Sequence, residues 1–292
     1  MNANSSIKIA VTGASGFIGR HVLAELKKHS VEIVAVTRNS ARLRDLDESI
    51  RVVEMDIASP PSDCFKRLGK PDSLIHLAWD GLPNYKSLHH FETELPRQYY
   101  FLKTMIEAGL PALLVTGTCF EYGMQSGSLS EEIQAKPNNP YGYAKDALRQ
   151  QLAFLKSAKP FNLTWARLFY MYGEGQPNTS LYSKLKEAVL RGDKVFNMSG
   201  GEQLRDYLPA EEVARQIVRL ALTQCDIGVV NICSGEPISV RRLVEQWLNE
   251  NNWKIELNLG HYPYPDYEPM AFWGEPLSES VFPKVMKESG NT

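Results

Sequence analysis

Apolar positions along the chain fall into short runs and helical stripes that alternate from the first residues onward. Ile7–Thr12 (IKIAVT) is the kind of run that a strand buried on both faces presents, and it ends at Gly13-Ala14-Ser15-Gly16. From Phe17 to Lys28 the apolar residues Phe17, Ile18, Val22, Leu23 and Leu26 recur at helical spacing, and a second β-rich run, Val31–Val36, follows. The unit recurs. Further strands are expected at 51–54, 74–78, 112–116 and 163–168, with helices near 62–68, 91–108 and 141–157. Such alternation predicts an α/β fold, an open parallel sheet wrapped by helices on both faces.

After residue 170 the texture changes. Gly173, Gly175, Pro177, Gly192, Gly200 and Gly201 punctuate shorter elements, and a Pro/Tyr-rich stretch runs from Tyr262 to Pro269. Helical periodicity returns at Leu181–Leu190, Glu211–Leu222 and Val240–Asn249, the last introduced by Ser239 as an N-cap. The expected organisation is a first domain over 1–170 and a smaller α+β lobe over 171–292, with segments around 204–234 returning to the first domain.

Composition narrows the function classes. With 292 residues, 43% of them hydrophobic, the chain is long enough for one large core or two modest ones, which excludes collagenous and disordered classes. A net charge of -2 provides no global basic field for nucleic acid or anionic lipid. No apolar run approaches the roughly 18 residues of a membrane span. The four cysteines, 64, 119, 225 and 233, form no CxxC pair and read as buried thiols in a reducing compartment. Met1–Ser6 is a polar fragment without the basic and apolar regions of a leader, so cytoplasmic residence is the expectation.

Candidate chemistry begins at the first turn. Gly13-Ala-Ser15-Gly16-Phe17-Ile18-Gly19 closes a strand and opens a helix, so backbone N–H groups and the positive helix end can face a pyrophosphate. Glycine is required where a Cβ would hold the phosphates away or crowd the helix against the sheet. This context, a strand before and a helix after, points to a Rossmann-type doubly wound domain binding a dinucleotide. NAD-selective folds place an acid at the end of the second strand, whereas a 2′-phosphate needs a cation there. The chain reads Val36-Thr37-Arg38-Asn39. Arg38, with Ser15 and the nearby Arg42, favours NADP(H), with NAD(H) as the alternative. Asp56 and Ile57, just after the third strand, are placed to border an adenine.

A second constellation, Tyr141-Gly-Tyr-Ala-Lys145, starts a predicted helix, and a four-residue separation puts Tyr141 and Lys145 on one face. A phenol with a pKa of about 10 is a poor acid near neutrality, and an adjacent ammonium favours its ionised form. Thr118, at the end of the preceding strand in TGTCFEYG, supplies a hydroxyl for the substrate oxygen.

Together these residues resemble the extended short-chain dehydrogenase/reductase family, of the NAD-dependent epimerase/dehydratase type. The resemblance runs from about residue 7 to about residue 250, through TGASGFIG (12–19), DI (56–57), HLA (76–78), TGTCFEYG (116–123), NPYGYAK (139–145), ARLFYMYGEGQ (166–176), RDYLPAEEVA (205–214) and VNICSGEPISV (230–240). It implies that Tyr141 is the acid/base, that Lys145 binds the nicotinamide ribose and tunes Tyr141, and that Thr118 assists. It also implies cofactor contacts at Leu77 and Ala78, a nucleotide-diphospho-sugar substrate, a diphosphate contact at Arg205, and a homodimer through the helices at 91–108 and 141–157. Phe101, Met105, Leu148, Leu152 and Leu155 either build that dimer face or pack on the sheet.

Departures from the family pattern narrow the reaction. Sugar dehydratases of this type carry an Asp-Glu pair directly after the catalytic threonine; here Cys119 and Phe120 stand there, and neither replaces a carboxylate. Glu121, one residue further and expected on the opposite strand face, reads as a structural residue. The family's asparagine after the phenylalanine of ARLF is Tyr170, placing Tyr170 beside Cys119 and Phe120 as a substrate contact with an altered pose. The expected activity is NAD(P)H-dependent reduction of a nucleotide-diphospho-4-keto-6-deoxyhexose, dTDP-linked in preference, for deoxysugar or surface polysaccharide biosynthesis. The alternatives are an NAD-retaining nucleotide-sugar 4-epimerase and a catalytically idle dinucleotide-binding sensor or scaffold.

Overall fold

The computed structural model describes residues 6–278; most of the polar amino-terminal fragment, through residue 5, lies outside the described residues. Seven strands form one parallel sheet: β1 (Ile7–Thr12), β2 (Val31–Thr37), β3 (Ile50–Glu54), β4 (Ser73–His76), β5 (Ala112–Thr118), β6 (Asn162–Leu168) and β7 (Gly228–Ile232). Their spatial order is β3-β2-β1-β4-β5-β6-β7, which reverses direction between β1 and β4 and opens a crevice at the strands' carboxyl ends. The helices are α1 (Phe17–Leu26), the single turn α2 (Cys64–Arg67), α3 (Leu95–Glu107), α4 (Pro140–Ala158), α5 (Leu181–Arg191), α6 (Ala210–Thr223) and α7 (Val240–Glu250). The Rossmann-type sheet expected from the alternation is present, and its seventh strand comes from the later part of the chain.

Strand alternation builds two cores. In β1, Ile9 and Val11 face one side and pack with Val22, Leu23 and Leu26 of α1 and Val213 and Ile217 of α6. Ala10 faces the other side, with Phe101 and Met105 of α3, Leu148 and Leu152 of α4, and Trp165 of β6. Phe101, Met105, Leu148 and Leu152 are therefore buried against the sheet, with Leu155 packed beside them. Tyr100, Tyr143 and Phe154 are the large rings that α3 and α4 leave exposed.

Some boundaries moved for physical reasons. The helix expected over 91–108 opens with a wide turn, His90–Glu94, before α3 proper. Pro96 has no N–H to donate to the carbonyl four residues back, and its ring crowds that carbonyl, so the preceding turn widens. β4 ends at His76 rather than at Ala78, because Leu77 and Ala78 leave the ladder to pass the glycine turn; a Cβ on Gly13 would lie 2.8 Å from the Ala78 nitrogen. Residues 119–122 are a 3-10 turn, so Glu121 lies in a turn and not on a strand. Cys225 is exposed, contrary to the expectation of four buried thiols; it sits in the α6–β7 connection, where its N–H is accepted by the Thr223 hydroxyl.

The later part of the chain adds a small core in which Leu185 and Ala188 of α5 meet Val240, Leu243, Val244 and Trp247 of α7. Both helices are capped. Ser180 accepts from the Ser183 N–H and Ser239 from the Arg242 N–H, the latter as expected. Among the described residues no helix is long and apolar enough to cross a membrane.

Candidate active site

Thr118 ends β5 and caps the 3-10 turn: its hydroxyl accepts the Phe120 N–H at 3.3 Å, while the Glu121 carboxylate accepts the Thr118 N–H at 2.8 Å. Asn139 caps α4 by accepting the Gly142 N–H at 2.9 Å, and Pro140 follows at the first helical position, where its missing N–H costs nothing. The helix then presses onto the turn. A Cβ on Gly142 would lie 2.5 Å from the Phe120 carbonyl oxygen, so only glycine allows this approach. The result is that Tyr141 and Thr118 line the same cavity.

One turn along α4, Lys145 is buried; its Nζ donates to the Thr116 carbonyl at 2.9 Å and lies 4.0 Å from the Trp79 ring centre. It is 6.0 Å from the Tyr141 ring centre. Burial pulls Lys145 down to about 7, with Glu121 and Glu94 opposing. Burial also pushes the Tyr141 phenol up, its largest cause, with the neighbouring Tyr85, Glu121 and Cys119 adding to the push and the Thr118 hydroxyl opposing it. The expected cation effect on the phenol is thus outweighed by desolvation.

The glycine loop is built as its spacing implied. Gly13 has φ +69°, and a Cβ on Gly19 would meet the Gly13 carbonyl oxygen at 2.2 Å. These contacts hold the amino end of α1 close to the β1 turn. Gly13, Gly16, Phe17, Ile18, Gly19 and Leu77 line a cavity of about 940 Å³ that Thr118, Tyr141 and Lys145 also line. A dinucleotide fits this arrangement, since glycine backbone and helix N-terminus face the same cleft as the tyrosine and lysine. Ser15, Arg38, Asp56, Ile57 and Ala78 lie outside that wall. The Ser15 and Thr37 hydroxyls hydrogen-bond at 3.0 Å, and Arg42 donates to the Ser15 carbonyl at 3.5 Å. Arg38 is exposed at the end of β2, and the Asp56 carboxylate accepts the Ala58 N–H.

On the opposite side of Tyr141, the rings of Tyr85, Phe120 and Tyr267 cluster with centroids 4.7 to 6.1 Å apart. All three line the same cavity, as do Cys119 and Tyr170. A second cavity of about 760 Å³, sharing Tyr170, Thr179, Lys184 and Tyr267 with the first, is lined by Arg205, Gln203 and Tyr207. Arg205 is not a free cation. It pairs with Glu268 at 2.8 Å, donates to the Leu204 and Met270 carbonyls, and stacks 4.6 Å from the Phe272 ring; the Tyr170 hydroxyl donates to the same Glu268.

Sequence reasoning did not single out Trp79 or Tyr85. Their signal was available, since WDGLPNY begins three residues past the carboxyl end of β4, where the crevice of such a sheet forms. Tyr267 and Glu268 were not singled out either; they lie in the Pro/Tyr-rich stretch from Tyr262 to Pro269.

Residues 9–233 match the family model described as the NAD dependent epimerase/dehydratase family. The chain belongs to that family. It is an NAD(P)-dependent oxidoreductase of the extended short-chain dehydrogenase/reductase type. Over 270 residues it is 31% identical to the dTDP-6-deoxy-L-talose 4-dehydrogenase (NAD(+)) of Aggregatibacter actinomycetemcomitans, covering 92% of this chain and 99% of the relative. It is 26% identical to the GDP-6-deoxy-D-talose 4-dehydrogenase of the same organism, covering 82% and 78%. Among solved structures, MoeE5 in complex with UDP-glucuronic acid and NAD superposes with a TM-score of 0.78 at 28% identity, over 94% of this chain and 92% of that one.

Proposed function

We propose that this member of the family is a reductase that converts a nucleotide-diphospho-4-keto-6-deoxyhexose, dTDP-linked in preference, to the 4-hydroxy sugar. The observation that carries this reading is the set of groups facing the cleft: Thr118, Tyr141 and Lys145 stand beside the rings of Phe120, Tyr85 and Tyr267, where a dehydratase needs carboxylates. The names of the two 6-deoxytalose dehydrogenase relatives support the sugar class.

When bound, the dihydronicotinamide supplies a hydride to the substrate carbonyl carbon. The glycine loop and the α1 N-terminus would hold the pyrophosphate, and Lys145 would hold the nicotinamide ribose. Tyr141, kept protonated by burial, gives its phenolic proton to the carbonyl oxygen as charge develops there. Thr118, fixed by its cap, donates a hydrogen bond to the same oxygen. Cys119, whose thiol burial pushes up, stays neutral beside the ring.

Arg38 at the end of β2, with Arg42, Ser15 and Thr37, supports NADP(H) over NAD(H). The resemblance also implies a homodimer through α3 and α4, where Tyr100, Tyr143 and Phe154 are exposed.

The test is spectrophotometric: NADPH and NADH oxidation against dTDP-, CDP-, GDP- and UDP-linked 4-keto sugars. Oxidation with a 6-deoxy substrate is expected, and no oxidation with any of them sinks the reading. Purified protein carrying stoichiometric, non-exchanging NAD and interconverting 4-epimers without net oxidation establishes the epimerase alternative instead.

A further inference from the structure

Glu121 is fully buried three residues after the threonine at the reacting carbonyl, and the reaction as described does not use it. Its Oε1 accepts the Thr118 N–H at 2.8 Å and the Trp165 indole N–H at 3.0 Å; its Oε2 accepts Arg167 Nε at 2.7 Å. Gly117 makes room for this network. A Cβ there would lie 2.4 Å from Glu121 Oε1 and 2.2 Å from Trp165 Nε1. Arg167 in turn lies over the Tyr122 ring at 4.5 Å, with 3% of its side chain exposed.

Stability is a weak account of this pair. Burying a carboxylate and a guanidinium costs so much solvation that well-packed apolar residues of similar volume are often no less stable. The geometry has two consequences at the cleft. The Thr118 backbone is fixed through its own N–H, and a negative charge is held at the carboxyl end of the strand whose carbonyl at Thr116 takes the Lys145 ammonium.

We propose that Glu121 is the positioning residue of this active site: its carboxylate locks the Thr118 backbone and sets a buried negative charge at the end of the strand that holds Lys145. The proposal rests on the reductase reading for its catalytic meaning. Among the charges opposing the burial of Lys145, Glu121 comes first and Glu94 second.

The other groups facing Lys145 leave Glu121 in that role. His76 of β4 and His90 of the wide turn are both pulled down by burial and are neutral near pH 7. Tyr141 is pushed up and neutral, and Trp79 offers only a ring face. Asp146, next along α4, is held by Arg149 and Gln150. Burial raises the Glu121 carboxyl, and the donors around it, Arg167 first and then the Thr118 N–H and the Trp165 indole, oppose that push and favour the carboxylate.

Glu121→Gln tests the proposal, because it keeps an oxygen for the Thr118 N–H and removes the charge. Titration of Lys145 by ¹⁵N NMR of its Nζ should give a midpoint about one unit lower than in the unaltered protein, a tenfold change in proton affinity. NADPH binding, followed by fluorescence, should weaken several-fold at pH 7.5 and stay unchanged at pH 5.5, where Lys145 is protonated in both proteins. An unmoved Lys145 midpoint, or equal weakening at the two pH values, overturns the proposal. If Glu121→Gln does not fold with Arg167 unpaired, the double variant Glu121→Gln/Arg167→Gln restores a neutral network and carries the same expectation. These readouts need no sugar substrate, so a chain that reduces no nucleotide-linked ketone would defeat the reductase reading without deciding this one.

Discussion

The Lys145 ammonium is held between the Trp79 ring, 4.0 Å away, and the Thr116 carbonyl, 2.9 Å away, so its nearest partners carry no full charge. Desolvation therefore dominates and Lys145 is drawn to about 7 from its ordinary 10.5. Stability follows from this. Between pH 7 and 10.5 the unfolded chain binds a proton at this position that the folded chain lacks, so this group's contribution to stability rises with pH across that window. Below pH 7 both states are protonated and the full cost of burying the cation is present. Lys145→Met should therefore gain more stability over the unaltered protein at pH 6 than at pH 10, measured by urea unfolding, while turnover is lost. An equal gain at both pH values would show that the cation is not being held against its solvation.

The Tyr141–Thr118 pair makes a different demand. Tyr141→Phe keeps the ring and its packing against Trp79 and Tyr85 but removes the transferable proton. Loss of a positioned general acid costs about 10²–10⁴-fold in rate, with little change in NADPH affinity. Thr118→Val removes both the substrate hydrogen bond and the turn cap, so it should lower turnover and stability together. Steady-state kinetics with binding by fluorescence separates the two, and unchanged turnover in Tyr141→Phe would end the assignment.

Cofactor choice turns on the end of β2. Arg38 and Arg42 are exposed cations beside the Ser15 and Thr37 hydroxyls, in the position where an NAD-selective domain has a carboxylate. Arg38→Asp should raise the KM for NADPH about tenfold to a hundredfold, the size of a lost charge-assisted hydrogen bond plus repulsion, and leave that for NADH unchanged or lower. A KM for NADPH that does not move would favour NAD as the working cofactor.

The sheet and the positions of the candidate site residues were legible because each is written locally. Ile7–Thr12 with its glycine loop, and Asn139-Pro140-Tyr141 opening α4, carry their own periodicity and caps. Arg205 was legible as a position but not as a chemical state. Its partner Glu268 is 63 residues away in sequence, on a segment with neither helical nor strand periodicity, so nothing local announced that the guanidinium would be taken. Glu121 was misplaced onto a strand face because a 3-10 turn has no periodic signature of its own. Trp79 and Tyr85 were missed for the same reason: they lie on an irregular segment that Tyr85 ties to α4 through its carbonyl, which accepts the Tyr141 N–H at 3.2 Å.

The ring cluster beside Tyr141 leads to a prediction about substrate choice. Phe120 comes from the turn after β5, Tyr85 from the segment after β4, and Tyr267 from the late Pro/Tyr-rich stretch, where Asp266 pairs with Lys86 at 3.1 Å across the cleft. Three segments that far apart in sequence present one aromatic wall to the cavity that Thr118, Tyr141 and Lys145 also line. Such a wall accepts a methyl group and leaves a hydroxyl without a partner. Phe120→Asn supplies that partner at the place nearest Thr118. The ratio of kcat/KM for a 6-deoxy 4-keto sugar over its 6-hydroxy counterpart should then fall about 10–100-fold, the range over which an apolar pocket distinguishes a small group. The change should arise from gain with the 6-hydroxy substrate as well as loss with the 6-deoxy one. A ratio unchanged in Phe120→Asn, in protein that still binds NADPH normally, would place the C6 group of the sugar elsewhere in the cleft.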